Sequence, residues 1–82
     1  MKAYSIYLGS RCYGEADTLR AAKMIATRDH THYTEFGSLK PDIYRSDDMM
    51  ELWDGQRYMR VPTPYTSPVA VWDGQNGRWV NY

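Results

Sequence analysis

Only one stretch of this chain of 82 residues repeats its apolar positions at the spacing of an α-helix. Leu19, Ala22, Ile25 and Ala26 fall at i, i+3, i+6 and i+7, one stripe of a 3.6-residue repeat, while Arg20, Lys23, Thr27 and Arg28 fall mostly outside it. Asp17 stands where an N-cap is wanted, its carboxylate free to accept an N–H of the first turn. The stripe predicts an amphipathic helix over 18–28, and the small Ala21, Ala22 and Ala26 let it sit close on a sheet. A single helix covers one face of a sheet, so the other face is expected to meet solvent or a partner.

Everything else is cut into short strand-like runs. Residues 3–8 alternate, with Tyr4, Ile6 and Leu8 pointing one way and Ala3, Ser5 and Tyr7 the other. Gly9, Ser10 and Gly14 punctuate the stretch between this strand and the helix. His30 to Phe36 reads as a second strand, Ile43-Tyr44-Arg45 as a short third, and Ser46-Asp47-Asp48 as either a helical turn or a simple turn. Leu52-Trp53-Asp54-Gly55-Gln56 is echoed by Val71-Trp72-Asp73-Gly74-Gln75, each followed by Arg and an aromatic residue. Asp-Gly and Asn-Gly supply the positive φ that tight turns require, so both stretches read as hairpins, over 49–61 and 69–81. Pro62, Pro64 and Pro68 remove ladder donors from the segment between them, which is an extended connection.

Short turns between successive strands dictate antiparallel pairing. The fold class expected is therefore α+β, a curved antiparallel sheet of about five to six strands with one amphipathic helix packed on one face. It forms a single domain over 1–82, with a strand at 3–8, the helix at 18–28, and strands and two hairpins over 31–82. A chain this short has one core.

Little in the sequence points to catalysis. No Gly-rich phosphate loop, paired acids or Ser-His-Asp order is present. His30 and His32 share a strand face, but Glu35 and Cys12 are the only helpers near them, so they read as surface residues and no metal is expected. Cys12 has no base beside it in the sequence and cannot pair within the chain, which favours a reducing compartment. The start has no long apolar region, so no signal peptide is expected, and no run approaches the length of a membrane span. Neither a cofactor nor a small-molecule substrate is called for.

Binding is the better reading. Aromatic residues make up 15% of the chain, as eight Tyr, three Trp and one Phe. Tyr4, Phe36, Trp79 and one of Trp53 and Trp72 are expected in the core. Tyr7, Tyr58, Tyr65 and one Trp are expected outside, where such rings anchor interfaces or stack on nucleobases. The net charge is zero, which excludes a chain that coats nucleic acid by charge alone. The charge is nonetheless segregated: residues 41–54 hold Asp42, Asp47, Asp48, Glu51 and Asp54 against Arg45 alone, with basic excess on either side. Such a dipolar surface suits docking on a charged partner.

Glu15-Ala16-Asp17-Thr18-Leu19-Arg20-Ala21-Ala22-Lys23-Met24-Ile25-Ala26-Thr27 resembles the helix of small type I-F anti-CRISPR proteins. The opening Met1-Lys2-Ala3 and the closing Arg78-Trp79-Val80, with an Asn-Gly turn before Arg78, resemble the ends of the same family. Residues 37–68 are an insertion by comparison. The resemblance implies a five-stranded antiparallel sheet with one helix. It also implies a non-catalytic inhibitor in the bacterial host cytoplasm that binds a crRNA-guided surveillance complex and blocks target DNA or nuclease recruitment. Basic groups on the helix and near the C-terminal Arg-Trp make the family's contacts, which places Lys23 and Arg78, and roughly Arg28, at the interface. Met24 departs from a basic position. Tyr58 and Tyr65 are added as exposed rings, and Asp47, Asp48 and Glu51 as an acidic segment without counterpart that could redirect the protein to another subunit. The alternatives are a single-stranded nucleic-acid-binding module using exposed Tyr, Trp and Arg, or a phage accessory protein with an unrelated protein partner.

Overall fold

A computed structural model describes residues 2–82; Met1, part of the N-terminal resemblance, lies outside the described residues. The order of elements is β1 (Tyr4–Leu8), β2 (Arg11–Ala16), α1 (Leu19–Asp29), β3 (His32–Thr34), β4 (Gly37–Leu39), β5 (Asp42–Arg45), a 3-10 turn (Ser46–Asp48), β6 (Met50–Trp53), β7 (Tyr58–Val61), β8 (Ala70–Asp73) and β9 (Arg78–Asn81). Five strands form an antiparallel sheet in the order β2-β1-β5-β8-β9, and β3-β4 and β6-β7 form separate two-stranded ribbons. The architecture is α+β. Among the described residues no helix is long and apolar enough to cross a membrane.

The core is small and built for close approach. Ile6, Ile43 and Ala70 sit opposite one another across β1, β5 and β8. Ala22 and Ala26 of α1 close over them, and all five are fully buried. Tyr4, Tyr13, Leu19, Ile25, Val69 and Trp79 pack around this centre. The expected helical stripe is thus the packed one. Its cap is not Asp17 but Thr18, whose Oγ1 accepts the Ala21 N–H at 3.1 Å. Asp17 instead meets Lys2 Nζ at 3.0 Å.

Three further expectations are corrected. Residues 11–16, where no strand is expected, are β2. Gly14 and Ala16 make poor strand formers, yet each suits its place: Gly14 has φ +148° beside the register shift of β1 and β2, and Ala16 is buried in the core that α1 covers. The strand expected over His30–Phe36 shrinks to β3, which pairs only with β4 and leaves Phe36 80% exposed rather than in the core. The hairpin over 49–61 forms, but outside the main sheet.

The face of the sheet away from the helix is partly covered by this chain itself. Tyr7, expected on the surface, is buried there; its hydroxyl donates to the Arg60 carbonyl oxygen, and its ring meets Tyr44 edge-on at 6.5 Å. Ser5 and Ser46 share a hydrogen bond at 2.7 Å, and the Ser46 N–H donates to the Ala3 carbonyl. The 3-10 turn and the base of the β6-β7 ribbon therefore close over β1.

Candidate docking surfaces

Beside the packed stripe of α1, and sharing Leu19 with it, neighbouring pairs of residues recur every four positions. Leu19, Arg20, Lys23, Met24, Thr27 and Arg28 line one shallow groove along the helix. Three of the six are cations, and Met24 is 51% exposed between them. Arg28 Nε lies 3.3 Å from the Asp29 carboxylate, an exposed pair worth little. The Trp79 indole N–H donates to Thr27 Oγ1 at 3.3 Å, so β9 borders this groove.

That bond also fixes where Arg78 stands. Trp79 pairs with Trp72 across β8-β9, and Arg78 pairs with Asp73. Successive side chains of a strand point to opposite faces, so Arg78 lies on the face away from the helix. The structure brings Lys23 and Arg28 together, adds Arg20, and leaves Arg78 apart. Arg20 is readable as a member of the group from its spacing to Lys23 and Arg28.

The acidic segment is dispersed. Asp47 and Asp48 are exposed on the 3-10 turn. Glu51 on β6 faces Arg60 at 3.5 Å. Asp54 closes the β6-β7 turn by accepting the Gln56 and Arg57 N–H groups at 2.8 and 2.9 Å. Asp73 accepts from Gln75 and Asn76 at 3.1 and 3.2 Å. The echoed Trp-Asp-Gly-Gln is therefore one turn device used twice. Hydrogen bonds hold both carboxyls below the usual aspartate range, led by the Arg57 backbone N–H at Asp54 and the Asn76 side chain at Asp73. Burial pushes Asp42 the other way.

Tyr58 and Trp53 lie at the ribbon's turn end, 69% and 59% exposed, with ring centroids 5.1 Å apart. Trp72 is the half-buried member of the pair. Tyr65 is 95% exposed in the connection over 62–68, whose turn is held by Thr63 and Thr66. The ribbon is anchored on the sheet face opposite α1, so these rings do not join the helix cations. His30 ends the helix with its ring against Tyr13, and His32 is exposed on β3. No group of three or more His, Cys, Asp or Glu that could hold a metal ion occurs among the described residues. Cys12 is exposed.

One feature carries no signal in the sequence. Lys40 is buried, its Nζ donating to Thr31 Oγ1 at 2.7 Å and lying 4.2 Å from the centre of the Trp72 ring. Burial lowers its pKa. The Trp72 indole N–H donates in turn to Ser38 Oγ at 2.8 Å, so Lys40, Trp72 and Ser38 fasten the β3-β4 ribbon to β8.

No family model, no curated protein and no solved structure matches this chain.

Proposed function

We propose that the chain is a non-catalytic inhibitor, of the type I-F-like anti-CRISPR kind, that binds a crRNA-guided surveillance complex in the bacterial host cytoplasm. The observation that carries this reading is the exposed groove of Arg20, Lys23 and Arg28 with Leu19 and Met24 between them. In this reading α1 is amphipathic, its alanine face on a sheet that curves beneath it and its cationic face on the partner. Clustered cations with an exposed Met fit an acidic surface with apolar spots, and they act by occupancy. The Trp79–Thr27 bond supports the same reading, because it ties the C-terminal stretch of the resemblance to the helical one.

The test is target-DNA binding by a purified type I-F complex, titrated with this protein. Inhibition saturating at one copy per binding site, with no cofactor and no lag, is the expected result. Full target binding at excess protein would reject the reading. A second reading, a single-stranded nucleic-acid module, has one observation in its favour: Trp53 and Tyr58 are exposed together beside Arg57. Glu51 and Asp54 pair with Arg60 and Arg57 beside the same rings, so the ribbon offers phosphate no cationic excess and the helix reading is preferred. A gel shift with single-stranded RNA or DNA that weakens steeply with salt would reverse that preference.

A further inference from the structure

Every residue from Met50 to Arg60 is exposed, so the β6-β7 ribbon stands largely clear of the body. Met50 pairs with Val61, Glu51 with Arg60, Leu52 with Met59, and Trp53 with Tyr58. One face is therefore wholly apolar, made of Met50, Leu52, Met59 and Val61. An isolated two-stranded hairpin is marginal in water, and three or more strands are the usual remedy.

The main-chain phase says which edge is open. The Arg60 carbonyl receives the Tyr7 hydroxyl, so it points away from β6, and Glu51–Arg60 is a pair without mutual hydrogen bonds. The turn agrees: the Asp54 N–H donates to the Arg57 carbonyl at 3.1 Å, which makes that pair bonded, Trp53–Tyr58 unbonded and Leu52–Met59 bonded. On β6 the N–H and C=O groups of Glu51 and Trp53 thus face outward, along an edge that no other strand covers among the described residues. The β7 edge is held against Tyr7 and, through Arg60 Nη1 at 3.3 Å, the Ser46 carbonyl.

We propose that the β6 edge is a homodimer interface in which β6 pairs antiparallel with β6 of a second copy, about a two-fold axis through Leu52. The sequence of the edge suits its own copy. Only axes at Glu51, Leu52 or Trp53 bring outward groups into phase. An axis at Glu51 sets two carboxylates directly opposite each other, which is repulsive. An axis at Trp53 carries Glu51 past the end of the strand, opposite the turn at the partner's Gly55. The axis at Leu52 bonds Glu51 to the partner's Trp53 and Trp53 to the partner's Glu51, and sets Leu52 against the partner's Leu52. Four strands then share one continuous apolar face. The outer strands of the main sheet are less suited: β2 lies beside a register shift between Ile6 and Tyr7, a device that blunts edges, and β9 opens with the charged Arg78.

The proposal is tested by the mass of the intact protein in solution from micromolar to sub-millimolar concentration, read by light scattering. The mass is expected to rise to twice the 9.6 kDa of one chain. Glu51→Pro removes an outward N–H and no bond within the ribbon, so it should weaken association by more than about tenfold while leaving the circular dichroism unchanged. Independently, Leu52→Cys in a Cys12→Ser background should cross-link under oxidation, because an unbonded antiparallel pair sets its Cα atoms about 4.5 Å apart, within disulfide range. Trp53→Cys should not, since its mate is displaced by about 7 Å along the strand. A monomer at all concentrations, a dimer untouched by Glu51→Pro, or cross-linking at Trp53→Cys without Leu52→Cys would each overturn the proposal. If Glu51→Pro fails to fold, the cysteine pair decides alone.

Discussion

The carbonyl oxygen of Ser38 occupies the space where a side chain on Gly74 would begin. From the other side, a Cβ on Gly37 would stand 2.5 Å from the Gly74 carbonyl oxygen. The β3-β4 ribbon, which shares no strand pairing with the main sheet, is therefore seated on the β8-β9 turn backbone against backbone. The Trp72–Ser38 bond and the Lys40 ammonium over Trp72 close the same seam.

The two Asp-Gly turns should respond differently to the same substitution. Gly55 has φ +100° with nothing within 4 Å, so Gly55→Ala incurs only backbone strain, about 1–2 kcal/mol. Gly74 has no positive φ but no room, so Gly74→Ala must push two backbones apart, at about 3 kcal/mol or more. Chemical denaturation of both variants checks the order. A Gly74→Ala variant as stable as Gly55→Ala would mean that the ribbon is not seated there.

Ala22→Glu should be the most damaging single change on the helix. Ala22 is fully buried against Ile6 and Ile43, and an unpaired carboxylate there loses about 3–5 kcal/mol. At about 4–8 °C per kcal/mol for a domain of this size, melting should fall by at least ~12 °C. Met24→Glu, on the exposed face, should stay within about 0.5 kcal/mol. Similar melting of the two variants would contradict the packing assigned to α1.

Acid should act on the fold in two opposed steps. Asp42 has its folded pKa raised by burial, so its ionised form weakens the fold at neutral pH, and stability is regained as pH falls through that raised value. Asp54 and Asp73 have folded pKa values depressed by their turn hydrogen bonds. Their contribution is present above the ordinary aspartate range and is lost as pH falls through the depressed values. A melting profile against pH should therefore rise on mild acidification and then decline. Asp42→Asn should abolish the rise. Asp54→Asn with Asp73→Asn should flatten the decline, since an amide oxygen accepts the same N–H groups without titrating. A decline unchanged in that double variant would assign acid sensitivity elsewhere.

How much of the fold is legible in the sequence depends on how local each signal is. The helical stripe and the two hairpins are legible because spacing and turn chemistry act within a few residues: Ala22 and Ala26 are three to four positions from their neighbours in the stripe, and Asp54 and Asp73 bond two and three residues ahead. The burial of Tyr7 is not legible, because what covers it, Arg60, comes 53 residues later. Strand β2 is hidden because Gly14, at φ +148° beside a register shift, and the buried Ala16 are the opposite of what strand propensity rewards. Lys23 and Arg28 are five residues apart, so spacing alone does not join them; Arg20 and Met24 bridge them at i+3 and i+4 in one groove. The separation of Arg78 from them is not legible, because it depends on the register that pairs Trp79 with Trp72.

Charge reversal tests which of these cations dock. Lys23 and Arg28 lie in one groove on α1, whereas Arg78 lies on the opposite face of the sheet. An interface cation truncated at the centre of a contact typically weakens binding by about 2 kcal/mol, roughly 30-fold, and reversal adds repulsion to that loss. If the helix groove docks on the surveillance complex, Lys23→Glu with Arg28→Glu should abolish inhibition of target-DNA binding, while Arg78→Glu should leave it within a few fold. All the side chains involved project from the surface, so melting temperatures should stay near the parent value, which separates lost docking from lost folding. Adding Arg20→Glu should deepen the loss without touching the core, because Arg20 is exposed on the same stripe. The reverse pattern, with Arg78→Glu inactive and the helix double variant fully inhibitory, would move the docking surface to the far face of the sheet, the face that also carries the 3-10 turn with Asp47 and Asp48 and the ribbon with Glu51 and Tyr58.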